Sequence, residues 1–273
     1  MNTLIKRTLT ALVAGSGVLA LLVFAKRNDF RWAVGLFLAI CVGIAIIEFC
    51  ELMEEAGFQL RPRPLALLAS TAFFLYSLTR GQINPLLMVA FLVVAIITTA
   101  RRVSLTDNLK NAFAALLAFI YIPWLLHFFY LIYLAESGII HSINVLFIVW
   151  GYDSGAYLFG RLVGKHKIAP HISPNKTLEG VIGGLFLAYG GASLSPIWYP
   201  YRMWIPHIAI LAVLVGLAAQ LGDLTESSLK RIAGVKDSGV LFPGHGGMLD
   251  RIDGLLFALP VFYFYFHFIL RFI

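Results

Sequence analysis

Charge is scarce in this sequence, and so is cysteine. Only 13% of residues are Asp, Glu, Lys or Arg, 60% are hydrophobic, and mean hydropathy is +0.85. A soluble domain carries about a quarter charged residues, so the apolar excess is too large for one water-soluble core and the bilayer is the expected solvent. The two cysteines, Cys41 and Cys50, lie in one apolar run about half a turn out of phase on a helix. That excludes a disulfide framework and reads as apolar packing. Zinc-type His/Cys spacing is absent, as are a G-x-S-x-G elbow and a Walker A loop. The nearest approach to the last, Gly160 to Lys165, is one residue short between its glycines and lacks the following Ser/Thr. Gly160 and Gly164 are read instead as a small-xxx-small packing contact. Internal repeats, a long linker and a separate soluble domain are also missing.

What remains is a succession of apolar runs. A helix needs about 20 apolar residues to cross a bilayer core, and nine candidate spans have their apolar centres at Leu9 to Phe24, Trp32 to Phe49, Pro64 to Leu78, Pro85 to Ala100, Ala112 to Leu134, Ile143 to Phe159, Gly180 to Trp198, Ile205 to Leu221 and Leu255 to Phe272. The runs lack the alternation of a barrel. The expected fold is therefore all-α: a polytopic transmembrane helical bundle of about nine spans, one integral membrane domain with residues 1–140 as scaffold and 141–273 as the catalytic part. The first span follows Lys6 and Arg7 and is expected to be a retained signal anchor. With nine spans, fifteen of the 21 Lys and Arg residues fall on the side of the N-terminus and six on the other. The positive-inside rule puts the richer side, and the N-terminus, in the cytoplasm. The net charge of +7 then needs no nucleic acid partner, because basic loops beside anionic headgroups account for it.

Half of the 14 acidic residues lie between Asp153 and Asp253. Ionisable groups near apolar runs are costly and line polar cavities. Glu51, Glu54, Glu55 and Asp107 read as solvated; Glu48 is a weaker candidate for a buried acid. The densest stretch runs from Gly222 to Asp253. Asp223, Glu226 or Ser227, and Lys230 share one helical face. A glycine-rich turn follows with Lys236, Asp237, Pro243, Gly244, His245, Gly246 and Gly247, whose backbone N–H groups can approach an anion. Asp250, Arg251 and Asp253 open the last span. Carboxylates of this kind hold Mg2+, Mg2+ holds phosphate, and Lys and Arg neutralise the rest. Singly, each residue has a plainer reading: Asp250 as a helix cap, Asp253 paired with Arg251, Glu226 paired with Lys230, His245 as a turn residue. Their concentration between two spans argues against all of these at once. A second cluster, Ser173 to Gly180, places Ser173 or Thr177 as a helix cap and Lys176 beside a helix N-terminus that attracts anions, with Glu179 close by. Asp153 stands alone in the sixth span.

The stretch from Ser227 through Lys236-Asp237-Ser-Gly239 and Pro243-Gly-His245-Gly246-Gly247 to Asp250-Arg251-Ile252-Asp253 resembles the signature of the phosphatidate cytidylyltransferases. The Ser173 to Gly180 cluster and the Gly222-Asp223 pair are similar to that family too, and the signature before the last helix fits its architecture. The resemblance implies a transferase that makes CDP-diacylglycerol and pyrophosphate from CTP and phosphatidate with Mg2+ in phospholipid biosynthesis, a monovalent cation such as K+ being compatible with the site. It implies Asp223 and Asp250 as principal metal ligands, Asp253 and Glu226 as supporting ones, and Lys230, Arg231 and Lys236 as phosphate-holding cations. Asp237, His245 and Arg251 belong to the same catalytic stretch, and Ser173, Lys176, Thr177, Glu179 and Ser227 are placed near the nucleotide. A homodimer in the inner (plasma) membrane, multi-pass, with its site on the cytoplasmic side, is the corresponding expectation. The rivals are a CTP-dependent lipid kinase, a cytidylyltransferase of an ether-linked isoprenoid lipid, and a cation-coupled membrane transporter.

Overall fold

A computed structural model of the protein describes residues 3–79, 104–194, 204–242 and 246–271. Among these residues the structure is helical, with two isolated β-bridges and no strand. In chain order the helices are α1 (Thr3–Arg27), α2 (Arg31–Glu55), α3 (Pro62–Leu78), α4 (Leu105–Phe119), α5 (Leu125–Leu134), α6 (Gly138–Val163), α7 (Leu178–Ser193), α8 (Ile205–Ile232) and α9 (Leu249–Phe264). A π-helical turn, Ile120–Trp124, joins α4 to α5, and a second, Tyr265–Leu270, follows α9. Pro123 sits in the first; its missing N–H and ring clash break the regular ladder there.

Four of the described segments are long and apolar enough to cross a membrane: Arg31–Glu55, Leu105–Leu134, Ile205–Ile232 and Leu249–Leu270. The third expected span is the shorter helix α3, and the fourth, Pro85 to Ala100, lies outside the described residues. Local chemistry explains several boundaries. Pro62 occupies the first turn of α3, where a missing N–H costs nothing. Ser104 caps α4 by accepting from the Asp107 N–H at 3.0 Å.

The described chain divides into two compact units, Met1–Tyr130 with Leu229–Arg251, and Leu131–Ser228 with Ile252–Ile273. Part of the signature, Leu229–Arg251, thus belongs to the unit that holds the N-terminal helices.

In the first unit α2 buries Val34, Leu38, Val42, Ile46 and Phe49, one stripe at helical spacing. Leu36 and Ile40 on its outer side are exposed, as a lipid-facing surface would be. Helix α3 approaches α2 at two glycines: a Cβ on Gly35 would lie 2.1 Å from Ser77 Oγ, and one on Gly43 2.4 Å from Ser70 Oγ. The Tyr130 hydroxyl donates to the Ser77 carbonyl at 2.8 Å, and the Gln59 N–H donates to Asn111 Oδ1 at 2.9 Å. Cys41 and Cys50 are buried free thiols.

In the second unit α6 and α7 pack through small residues. A Cβ on Gly155 would sit 2.3 Å from the Gly183 carbonyl, and one on Gly151 2.8 Å from that of Leu187. The expected contact at Gly160 and Gly164 is there as well, against Thr177 and Gly180 at the start of α7. The buried Tyr152 hydroxyl donates to Gln220 Oε1 at 2.9 Å, tying α6 to α8.

Candidate functional site

In the first unit the signature loop is organised around two carboxylates. Lys230, near the end of α8, donates to Asp250 Oδ1 at 2.6 Å, with only 13% and 7% of the two side chains exposed. The other oxygen, Oδ2, accepts from the Ser238 N–H at 2.9 Å, the Ser238 hydroxyl at 2.8 Å and the Gly247 N–H at 2.8 Å. Glu48 reaches this loop from α2. Its Oε1 accepts from the Met248 N–H at 2.8 Å, and its Oε2 from the Leu249 N–H at 2.8 Å and the Ser238 hydroxyl at 3.2 Å.

Two ionised carboxylates buried this way are costly unless matched by charge and donors. Here Lys230 supplies one full charge, and the first N–H groups of α9, the positive end of its dipole, supply the rest. The Ser238 hydroxyl has one proton and serves one carboxylate at a time; the shorter distance is to Asp250. Close packing keeps the loop in place. A Cβ on Gly239 or Gly247 would lie 2.7 or 2.4 Å from a Glu48 oxygen. Gly246 has φ +77, and a Cβ there would meet Asp250 Oδ2 at 2.3 Å, so its position demands glycine twice over. Phe242 and Gly246 pair across an antiparallel bridge. Arg231, Lys236, Asp237 and Arg251 are exposed around this core. His245, with Pro243 and Gly244, lies outside the described residues. In the glycine-rich turn the Gly247 N–H is engaged by Asp250, and the N–H groups of Met248 and Leu249, which follow it, by Glu48.

In the second unit Lys176 forms an ion pair with Asp223, the lysine side chain 16% exposed and the carboxylate 39%. Ser227, one turn on, donates to Asp223 Oδ1 at 3.3 Å. Glu226 on the same helix is fully buried. A Cβ on Gly222 would lie 2.2 Å from the Asp253 carbonyl, so α8 and α9 touch backbone to backbone there and Asp223 and Asp253 spring from adjacent points. Asp253 Oδ1 accepts from the Gly254 N–H at 2.8 Å. Asp153 is exposed on α6.

The loop before α7 is built on its polar residues. The Ser173 N–H donates to the Ala169 carbonyl at 2.8 Å and its own carbonyl accepts from Lys176 at 3.1 Å, a turn that aims Lys176. Thr177 is the cap, its hydroxyl accepting from the Gly180 N–H at 3.2 Å. Glu179 closes the loop: Oε2 accepts from the Lys165 N–H at 3.0 Å, and Oε1 contacts His166 Nδ1 at 2.5 Å. The Lys165 N–H, then the His166 side chain, lower the Glu179 pKa to about 2.

Among the described residues no three His, Cys, Asp or Glu side chains are grouped to hold a metal unaided. Mg2+ asks for less, taking one or two carboxylates and completing its shell with water and phosphate oxygens. Asp223 fits that demand, its partly exposed carboxylate held by one ammonium and one hydroxyl. Asp250 offers Oδ1, the oxygen that Lys230 holds, because Oδ2 is filled by three donors.

Sequence reasoning assigned no role to Ser238, which stands inside the signature, or to Glu48, which it noted only as a buried-acid candidate. The signal for Glu48 was an acid within an apolar run; its partners, some 200 positions away, carried none.

The profile of the cytidylyltransferase family matches residues 5–269. The phosphatidate cytidylyltransferase of Staphylococcus saprophyticus is 44% identical over 134 residues, 49% of this chain and 52% of that protein. Its counterpart in Staphylococcus aureus strain COL is 48% identical over 128 residues, 46% of this chain and 48% of that protein. The chain thus matches about half the length of these two relatives. The phosphatidate cytidylyltransferase of Staphylococcus epidermidis is 33% identical over 264 residues, 93% of this chain and 96% of that protein.

Proposed function

The chain belongs to the cytidylyltransferase family, and from that premise we propose that it transfers the cytidylyl group of CTP to phosphatidate, giving CDP-diacylglycerol and pyrophosphate. The observation that carries the reading is the Ser227 to Asp253 signature, folded as a charge-matched network of Lys230, Asp250 and Ser238 rather than as scattered surface charge.

The attacking group is a phosphate oxygen already ionised at neutral pH, so no strong general base is required. The barrier is the approach of two polyanions and the departure of pyrophosphate. Lysine and arginine lower it by neutralising and aligning phosphates. In the second unit Lys176 is the cation for this task, already held at Asp223 by the Ser173 turn and the Thr177 cap. In the first unit it is Lys230, with the exposed Arg231, Lys236 and Arg251 beside it in sequence. Mg2+ would be held by Asp223 in the second unit, supported by Asp253 and Glu226, and by Asp250 Oδ1 in the first. Bound there, it would screen phosphate oxygens and favour pyrophosphate as a leaving group. K+ as a further ion and a homodimeric assembly belong to the same proposal, as does a nucleotide site formed by Ser173, Thr177, Glu179 and Ser227.

The membrane arrangement supports the chemistry. Helix α8 has 28 residues and so runs about 42 Å, longer than a hydrocarbon core of about 30 Å. Its polar last turns, Asp223 to Arg231, can therefore stand at the membrane edge while acyl chains stay in lipid. The proposed arrangement has nine crossings, a cytoplasmic N-terminus and the signature on the cytoplasmic face of the plasma membrane.

The test is incubation of the full chain in detergent with labelled CTP, phosphatidate and Mg2+, with and without EDTA, followed by lipid extraction. The expected products are a CDP-lipid and pyrophosphate, lost with EDTA and in Asp223→Asn. CDP with a newly phosphorylated lipid would instead establish a kinase, and solute flux without nucleotide turnover a transporter.

A further inference from the structure

We propose that Glu48 is a positioning residue for Asp250: its carboxylate fixes the start of α9 and the Ser238 hydroxyl, and through them the oxygen that Asp250 presents. The inference rests on the proposed role of Asp250 and adds a residue that lies far outside the signature.

Glu48 is 5% exposed, with Ile46, Ile47, Phe49 and Cys50 as its neighbours along the helix. Burying a carboxylate there is unfavourable unless donors replace its water. The structure supplies the Met248 and Leu249 N–H groups, with the single proton of the Ser238 hydroxyl shared between Glu48 and Asp250. The two N–H groups are among those at the start of α9 that have no partner within the helix. A side chain from α2 therefore does the capping that a local Ser, Thr or Asp does elsewhere.

The consequence for Asp250 is geometric. The Gly247 N–H, adjacent to the two held by Glu48, donates to Asp250 Oδ2, and Ser238 bridges the two carboxylates. With Oδ2 locked, rotation of the Asp250 carboxylate is blocked and Oδ1 stays directed at Lys230. Gly239 and Gly247 provide the space, since a Cβ at either would collide with Glu48. Outer residues of this kind orient a metal ligand, and their loss weakens metal affinity by about 10- to 100-fold.

The experiment compares wild type with Glu48→Ala and Glu48→Gln, each as the full chain in detergent. Hydrogen exchange without metal reads the amides of residues 247 to 250 directly. Glu48→Ala should raise their exchange while the rest of α2 keeps its protection. In the assay above it should raise the Mg2+ concentration for half-maximal rate by about 10- to 100-fold, leaving the CTP KM at saturating Mg2+ unchanged. Glu48→Gln retains one acceptor oxygen and should fall between the two, which keeps the test open if Glu48→Ala fails to fold. Wild-type exchange at residues 247 to 250, or an unchanged Mg2+ requirement in an active variant, overturns the proposal. If the wild-type chain makes no CDP-lipid, the functional reading fails, and exchange alone decides whether Glu48 orders the loop.

Discussion

A carboxylate surrounded by N–H donors is held in its charged form, and Glu179 is the clearest case in this chain. Its pKa falls from 4.5 to about 2, the Lys165 N–H being the largest cause and the His166 side chain the next. The folded value is depressed below the unfolded one, so the order that Glu179 lends the loop before α7 is fully present above about pH 4.5 and is lost as pH falls towards 2. Hydrogen-exchange protection of the Lys165 and His166 amides should therefore decline across that window. In Glu179→Gln it should already be low at neutral pH and show no such decline. A flat profile in the wild type would disprove the assignment. Spacing leaves Ser173 and Thr177 as alternative caps, and the structure gives the cap to Thr177 and a turn carbonyl to Ser173.

At the scale of elements, apolar helices meet through glycines where the backbones approach closely. Without a strong hydrophobic force between helices in lipid, such contacts depend on van der Waals fit. Gly155→Ala would drive a methyl group to 2.3 Å from the Gly183 carbonyl of α7. Overpacking of this kind costs about 1–3 kcal/mol. Gly190→Ala in α7 has nothing within 4 Å of the added Cβ, and should be neutral or stabilising by up to about 1 kcal/mol. Thermal unfolding in detergent, both variants in parallel, checks the contrast; equal shifts would mean the α6–α7 seam is not a tight contact. The helices α2, α8 and α9 were legible as apolar runs. The π-helical turns were not, because their cause is a local mismatch around Pro123 or at the end of α9 rather than a pattern of hydrophobicity.

For the whole molecule, the distribution of basic residues makes a prediction about sidedness. Lys165 follows α6 and Lys236 follows α8, and both lie on the side richer in Lys and Arg. Single cysteines introduced as Lys165→Cys and Lys236→Cys should react with a membrane-impermeant maleimide in inside-out vesicles and not in intact cells. The native Cys41 and Cys50 are buried, which keeps the background low. Labelling of either site from outside would reverse the proposed orientation.

Composition pointed this chain to a bilayer, with only 13% charge, and its continuous apolar runs, without the alternation of a barrel, pointed to helices as the way to satisfy its backbone. The order of residues also located the acids, lysines and glycines of the signature, since phosphate chemistry needs those types close together. Tertiary structure decided which of them touch. Lys176 meets Asp223 across 47 positions and Glu48 meets the start of α9 across some 200. A hydrogen bond acts over about 3 Å, and distance along the chain carries no record of which helices will bring two groups that close.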